Sequence, residues 1–248
     1  MEIQNILFFV IISVLLILVI RYYMQDANTL TSLIDGRTMQ KIEAADLPQP
    51  SDSGNSSNYS YSTWFYIDDW NYRYGESKVI FGKMTLPSSG ANSDPLEPCP
   101  SVVLGPTENN LVISLAVYPG VDSTPEAGSN FIIHTCGVAN VPIQKWVNLL
   151  VSVYGRTLDI YIDGKLVRTC LLPGVAKIET NSPIYITPNG GFSGWTSKFQ
   201  YWTDSTDPQK AWDIYKKGYG GSSIGFLGGY TIKLSLMQGD IEENSIQI

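Results

Sequence analysis

The hydrophobic and polar positions of the chain alternate in short segments from residue 59 onward. These segments are separated by Gly, Pro, Asn and Asp. Alternation with a period of two is typical of β-strands that bury one face. The pattern predicts strands at 61–67, 78–83, 101–104, 111–118, 131–135, 146–154, 158–162, 165–171, 184–187, 194–202 and 230–237.

A single segment of this region has the features of a helix. Residues 207–217 place Pro208 in the first turn and Gly218 just past the last one, which are favoured positions for these residues at helix ends. Many strands and one short helix in about 190 residues are typical of a two-layer β-protein. We therefore predict an all-β fold, an antiparallel two-sheet jelly-roll sandwich.

The N-terminus carries a long apolar run. Residues 6–20 are uncharged and broken only by Ser13, and with their flanks they reach about 20 residues, enough to cross the roughly 30 Å hydrocarbon core as a helix. Glu2 precedes the run, no Lys or Arg does, and no small-residue cleavage site follows, so an uncleaved anchor is favoured over a signal peptide. The predicted anchor residues are Ile6, Leu7, Phe8, Phe9, Leu15, Leu16, Ile20, Arg21, Tyr22 and Tyr23.

These patterns divide the chain into three parts. Residues 1–24 form the transmembrane anchor, 25–58 a linker or stalk with a short helix near 29–42, and 59–248 the β-sandwich. Positive charges follow the anchor and none precedes it, so the positive-inside rule places the sandwich on the cytosolic side. Glycosylation sequons at Asn55 and Asn58 favour the opposite side.

Composition and cysteine content exclude several function classes. The chain has 16 Lys and Arg against 23 Asp and Glu, a net charge of −7, which disfavours nucleic-acid binding. Three cysteines, Cys99, Cys136 and Cys170, are most simply three thiols in a reducing compartment, although one disulfide and a spare thiol stay open. His134 and Cys136 share a strand face without further ligands, so we predict no metal site there.

An acidic, aromatic loop at 68–76 is the main candidate for ligand or partner contact. Carboxylates there could hold Ca²⁺, and the aromatic rings could stack on a sugar or a partner protein. The loop lacks the spacing of a calcium loop, so we predict no cofactor and leave Ca²⁺ open; the alternative is an acidic turn whose rings cover the sandwich edge. The candidate residues are Asp68, Asp69, Trp70, Tyr72, Tyr74 and Glu76. Other tryptophans are predicted to lie in the core, namely Trp64, Trp146, Trp195, Trp202 and Trp212.

Three segments carry a family resemblance. They are 146–167, with an Asp163-Gly164 turn between two amphipathic strands, 191–215 and 61–67. Together they resemble the concanavalin A-like lectin/glucanase superfamily, especially its laminin-G-like jelly rolls, and this resemblance implies the sandwich fold. The E-x-D-x-x-E signature of its glucanases is absent, and Asp159 and Asp163 are expected on an outward strand face and in the turn. With a single His in the chain as well, we predict no catalytic residues and no enzyme activity.

A narrower resemblance concerns the whole layout. The anchor, residues 68–76 and the glycine-rich stretch 218–229 are similar to membrane-tethered jelly-roll proteins of large DNA viruses. That resemblance implies a structural protein of the virion, a minor capsid or internal-membrane protein that links the bilayer to capsid or other shell proteins. The alternative function is a carbohydrate-binding, lectin-like module displayed on a membrane, with a glycan as ligand.

Overall fold

The computed structural model of the chain describes residues 8, 11–16, 28–48, 58–83, 98–121, 124, 130–220, 233–238 and 241–247. The described strands are β1 (Ile34–Asp35), β2 (Gln40–Ile42), β3 (Tyr59–Asp69), β4 (Lys78–Lys83), β5 (Ser101–Leu104), β6 (Leu111–Val117), β7 (Ile132–Val138), β8 (Trp146–Tyr154), β9 (Thr157–Ile162), β10 (Lys165–Leu171), β11 (Ile184–Ile186), β12 (Ser193–Trp202), β13 (Lys233–Gln238) and β14 (Ile241–Gln247). They confirm the predicted all-β class.

Two antiparallel six-stranded sheets form the sandwich in the described part of the chain. The first sheet has the order β1-β12-β3-β8-β9-β10, and the second has the order β2-β11-β4-β5-β6-β7. β13 and β14 pair with each other as a separate hairpin. Neighbours in each sheet are frequently distant in sequence, as expected for a jelly roll.

The alternation seen in the sequence builds the core between the sheets. In β3, Phe65 and Ile67 are almost fully buried in the main hydrophobic cluster, and Phe65 lies opposite Val147 of β8. Residues of the second sheet, such as Ile113 and Leu104, complete the same cluster. Each side chain of this size contributes roughly 1.5–3 kcal/mol when it is fully buried.

The turn between β9 and β10 has the predicted conformation. Asp163 and Gly164 have φ values of 50° and 72°, the positive angles that a two-residue type I′ turn requires. A Cβ atom on Gly164 would lie 2.9 Å from Cβ of Tyr215 and 3.0 Å from Cε3 of Trp212. Position 164 therefore requires glycine for two reasons: the turn needs a positive φ, and the backbone of the turn lies too close to the helix for a side chain.

The helix spans Pro208–Lys216 and packs on the outer face of the first sheet. Its buried residues Ala211 and Ile214 contact Leu150 and Tyr161, which lie on that face. The carboxylate of Asp207 accepts a hydrogen bond of 2.7 Å from the backbone N–H of Lys210, so Asp207 is the N-cap.

We expect Asp207→Ala to lower the free energy of unfolding by about 1 kcal/mol, because the N–H of Lys210 loses its acceptor. Urea denaturation monitored by fluorescence measures this change. Gln209→Ala, on the exposed side of the same turn, is the matched control and should change stability by less than about 0.5 kcal/mol. An unaltered midpoint for Asp207→Ala would show that the cap contributes nothing.

Residues 28–48, which the sequence placed in the linker, contribute to the sandwich. Ile34 of β1 lies opposite Thr196 of β12, and Ile42 of β2 lies opposite Ile184 of β11. The helix predicted near 29–42 is therefore wrong, because β1 and β2 each form an edge strand of one sheet. A 3₁₀ turn, Ala44–Asp46, follows β2.

Cysteine pairing also differs from the simplest prediction. Cys136 and Cys170 form a disulfide with Cα atoms 6.4 Å apart, whereas Cys99 is buried and takes no part in it. The bond joins β7, at the edge of the second sheet, to β10, at the edge of the first. The prediction of three thiols is therefore wrong, because these two edges meet in space.

Two of the predicted core tryptophans are exposed rather than buried. Trp195 and Trp212 expose 40% and 38% of their surface. Trp64 is 5% exposed, but it lies on the outer face of the first sheet, where its ring stacks on Tyr215 at 5.6 Å. The core prediction is wrong for Trp195 and Trp212, which are exposed, and for Trp146 and Trp202, which are half-buried on the outer side of the first sheet, because these positions point away from the space between the sheets.

Most of the predicted membrane anchor lies outside the described residues. Phe8 and residues 11–16 are helical and exposed, and Leu15 and Leu16 are among them. Within the parts of the chain that the structure describes, no helix is both long and apolar enough to cross a membrane. Ile6, Leu7, Phe9, Ile20, Arg21, Tyr22 and Tyr23 fall outside these parts.

Candidate functional site

The acidic, aromatic loop connects β3 to β4 at one end of the sandwich. The carboxylate of Asp69 accepts a hydrogen bond of 2.9 Å from the N–H of Asn71, and the N–H of Tyr74 donates to the carbonyl of Asn71. The N–H of Gly75, where φ is 86°, donates to the carbonyl of Pro106. Local turn chemistry and this backbone bond to the β5–β6 connection therefore help to fix the loop.

The predicted contact residues of this loop do not form one site. The hydroxyl of Tyr72 donates to the carbonyl of Gly190 at 3.0 Å, and Glu76 forms an ion pair of 2.7 Å with Arg73. Tyr74 is 60% exposed, and Asp68 is exposed beside Asp69. Of the six candidates, Trp70 lines the pocket described next.

That pocket, the Trp70 pocket, is an open cavity of about 640 Å³ between three connections of the sandwich. The β3–β4, β5–β6 and β7–β8 connections meet there, so their side chains come from distant parts of the sequence. Its lining residues are Trp70, Thr107, Glu108, Asn109, Asn110, Ala139, Asn140 and Ile143. The sequence analysis predicted Trp70 as a contact residue but none of the other seven. Turn-forming residues at 105–110 and 139–142 were the sequence feature that marked these connections.

Hydrogen bonds between two of these connections hold the polar side of the pocket. The amide of Asn109 donates to the carbonyl of Val141 at 2.8 Å, and the N–H of Val141 donates to the carbonyl of Asn109. The side-chain oxygen of Asn110 accepts from the N–H of Asn140 at 3.1 Å. The polar wall is therefore formed before any ligand binds, which favours affinity.

Two polar side chains of the pocket, those of Glu108 and Asn140, can form further hydrogen bonds. The amide of Asn110 donates to one carboxylate oxygen of Glu108 at 2.6 Å, which leaves the second oxygen available. Within the described residues, the side-chain amide of Asn140 has no hydrogen-bond partner. A carboxylate accepts from hydroxyl groups, and a primary amide both donates and accepts.

Contacts on two sides position the Trp70 ring. Its Nε1–H donates to the carbonyl of Thr107 at 3.4 Å, and the ammonium of Lys78 lies 4.7 Å from the ring centroid. Lys78 is 1% exposed, and its ammonium has no hydrogen-bond partner among the described residues. Desolvation lowers the pKa of Lys78, and the charge of Arg73 lowers it further while Glu76 raises it. A desolvated cation–π contact of this kind contributes about 2 kcal/mol and holds the ring in place.

The two carboxylates considered for glycosidase chemistry both have structural partners. Asp159 accepts from the hydroxyl of Thr169 at 2.6 Å, across the β9–β10 pair. Asp163 accepts from the N–H of Asn148 at 2.9 Å and pairs with Lys145 at 3.2 Å. Asp159 lies on β9 and Asp163 in the β9–β10 turn, and neither lines the Trp70 pocket.

We expect Asp159→Asn to change the free energy of unfolding by less than about 1.5 kcal/mol, because it weakens one exposed hydrogen bond. We also expect neither the wild type nor the variant to release reducing sugar from glucans. Denaturation and a reducing-sugar assay measure the two effects. Sugar release that disappears in Asp159→Asn would contradict the prediction that the chain is not an enzyme.

Acidic groups do not cluster for metal binding in the described part of the chain. No group of three or more His, Cys, Asp and Glu side chains there could hold an ion. His134 lies beside Cys136, which is in the disulfide, and Glu76 is engaged by Arg73. The calcium site left open for the 68–76 loop therefore gains no support from its geometry.

Comparisons with known proteins agree with this fold. A model of the Laminin_G_3 family, of the concanavalin A-like lectin/glucanases superfamily, matches residues 41–210. A comparison with curated proteins found no match.

Among solved structures, the receptor-binding domain of botulinum neurotoxin D has a TM-score of 0.53 at 12% identity, over 75% of this chain and 44% of that one. The receptor-binding domain of the botulinum neurotoxin C/D mosaic serotype has a TM-score of 0.50 at 10% identity, over 77% and 43%. The chain spans less than half the length of these domains, and at such identities the likeness concerns the fold alone. The family match covers most of the sandwich, and the chain belongs to the concanavalin A-like lectin/glucanases superfamily.

Proposed function

We propose that the chain is a lectin-like binding module and that the Trp70 pocket holds a neutral sugar of a glycan. The observation that carries this proposal is the pocket itself, whose lining combines an indole ring with amide and carboxylate groups that hydrogen bonds hold in place. Membership of a superfamily that includes lectins supports it. The receptor-binding role of structurally similar toxin domains agrees with a binding function.

A pyranose ring has the chemistry that this pocket complements. One face of such a ring presents C–H groups, and its rim presents hydroxyl groups that both donate and accept hydrogen bonds. Trp70 and Ile143 supply an apolar wall for the face, and Glu108 and Asn140 supply partners for the rim.

Charge favours a neutral sugar over an acidic one. Glu108 places a carboxylate in the pocket wall, and the lining residues include no Lys or Arg. The ammonium of Lys78 lies over the Trp70 ring and is buried, so it does not offer its charge to a ligand at the surface. A sugar carboxylate would therefore meet a like charge without a compensating cation.

The disulfide favours display of this module outside the cytosol. Disulfides such as Cys136–Cys170 persist in oxidising compartments, and the cysteine argument for a cytosolic side no longer holds. The exposed apolar side chains of Leu15 and Leu16 agree with the predicted membrane anchor. We therefore propose a membrane-displayed module that faces an extracytosolic glycan.

A glycan array tests the proposal. The full chain in mild detergent should bind glycans with neutral terminal hexoses and should bind their sialylated counterparts at least about tenfold more weakly. Repeating the array with a calcium chelator tests the calcium site that the sequence left open. A chain that binds no glycan on the array, or acidic glycans alone, would contradict the proposal.

The capsid-linking role is a separate proposal, which rests on the resemblance of the layout to virion proteins. It shares the membrane anchor with the lectin-like proposal, and the exposed apolar residues near Leu15 agree with an anchor in both. Crosslinking mass spectrometry on purified particles tests it. Crosslinks from the sandwich to shell proteins are expected for this role, and their absence from intact particles would contradict it.

A further inference from the structure

Four aromatic residues form a continuous patch on the outer face of the first sheet, here called the outer aromatic face: Tyr66, Trp146, Trp195 and Tyr219. Tyr66 lies between its register partners Trp146 and Trp195, with ring centroids 5.7 and 5.6 Å away. Tyr219 stacks on Trp146 at 4.4 Å. Trp195 and Tyr219 are 40% and 44% exposed, so the patch presents apolar surface to the outside.

Residues 218 and 219, near the end of the described segment 130–220, lie at this patch. The hydroxyl of Ser197 donates to the carbonyl of Tyr219 at 2.7 Å, and the ammonium of Lys198 donates to the carbonyl of Gly218 at 2.8 Å. These bonds hold Gly218 and Tyr219 beside β12. Twelve residues separate Gly220 from Lys233, the first residue of β13, and they span at most about 40 Å. The β13–β14 hairpin therefore lies within reach of the outer aromatic face.

The hairpin needs a surface to pack on. β13 and β14 pair with each other and with no other described strand, and an isolated two-stranded hairpin is marginally stable in water. The register places Leu234 opposite Ile246, so apolar residues recur on both strands. Packing against exposed aromatic rings would supply the missing stabilisation.

Charge complements this packing. Residues 233–247 carry three acidic residues, Asp240, Glu242 and Glu243, against one lysine, a net charge of −2. The border of the outer aromatic face carries Lys198, Lys216 and Lys217, of which Lys216 also pairs with Asp213. Surface ion pairs contribute less than about 1 kcal/mol each, so they orient the hairpin while apolar burial holds it.

We propose that the β13–β14 hairpin docks on the outer aromatic face of its own chain. The short connection gives the hairpin a high effective concentration at this face, which favours its own chain over a second copy. Docking covers Trp195 and Tyr219, neither of which lines the Trp70 pocket. The proposal is independent of the glycan proposed for that pocket.

Hydrogen exchange of the full chain in mild detergent tests this docking. The amides of 233–247 should be protected in the wild type, and Trp195→Ser should accelerate their exchange about tenfold. Tyr74→Ser removes an aromatic residue that is 60% exposed elsewhere, and it should leave their exchange unchanged. Carboxylate-to-amine crosslinking should join Glu242 or Glu243 to Lys198, Lys216 or Lys217 within the monomer.

A charge variant gives a second test that does not alter the sandwich. Glu242→Lys with Glu243→Lys should accelerate exchange of the hairpin amides about threefold, because like charges then face each other. Asp46→Lys with Glu179→Lys makes the same change in net charge beside the second sheet and should have no such effect. Unprotected hairpin amides in the wild type, crosslinks confined to dimers, or protection that appears only with lipid vesicles would each overturn the proposal.

Discussion

Trp70→Ala is expected to weaken binding of a neutral glycan at least about tenfold, a loss of about 1.4 kcal/mol or more. The ring forms the apolar wall of the Trp70 pocket, and truncation of a positioned tryptophan in a binding site has large effects. Isothermal titration calorimetry with a glycan found on the array measures the change. Because Trp70 also packs against the main core, urea denaturation of the variant accompanies the titration to show that it is folded.

Tyr74→Ala is the matched control for this prediction. Tyr74 belongs to the same loop, is 60% exposed and does not line the pocket, so its truncation should leave glycan affinity unchanged. Lys78→Met should weaken glycan binding by less than Trp70→Ala does, because it removes the cation that lies over the indole ring but keeps the ring. Wild-type affinity in Trp70→Ala would show that the pocket is not the glycan site.

Removal of the disulfide is expected to have the largest effect on stability. Cys136→Ser with Cys170→Ser should lower the free energy of unfolding by about 3–4 kcal/mol, because the crosslink closes a loop of 34 residues in the unfolded chain. It also joins the edge strands of the two sheets, so its loss frees one side of the sandwich. Urea denaturation followed by tryptophan fluorescence measures the change.

Cys99→Ala is the control for this pair of substitutions. Cys99 is buried and lies outside the disulfide, so its replacement removes one sulfur atom from the interior and should cost about 1 kcal/mol. Reducing agent should destabilise the wild type to the level of the double variant and leave the double variant unchanged. Equal unfolding midpoints for the wild type and the double variant would contradict a disulfide between these residues.

Strand periodicity explains why the fold was largely predictable from the sequence. β4, β5, β8 and β10 have the predicted bounds, because each begins and ends at turn-forming residues and alternates between two faces. β1 and β2 were missed because two and three residues are too few to show alternation. They are recognised as strands through their pairing with β12 and β11, which is information that local sequence lacks.

Side-chain environment was harder to predict than strand position. Alternation tells which residues share a face, but not whether that face is covered. On the outer face of the first sheet, Tyr215 covers Trp64, whereas Trp195 of β12 stays exposed. The Trp70 pocket was predicted in part for the same reason, because Glu108 and Asn140 reach Trp70 only where three connections meet.

A titration followed by NMR tests the central claim most directly. The indole N–H signal of each tryptophan is resolved in a nitrogen-labelled full chain, and a neutral oligosaccharide from the array is added in steps. We predict that the Trp70 signal shifts in a saturable manner and that the signals of Trp195 and Trp212 on the outer surface of the first sheet do not. Saturable shifts at Trp195 or Trp212 with an unmoved Trp70 would contradict the account.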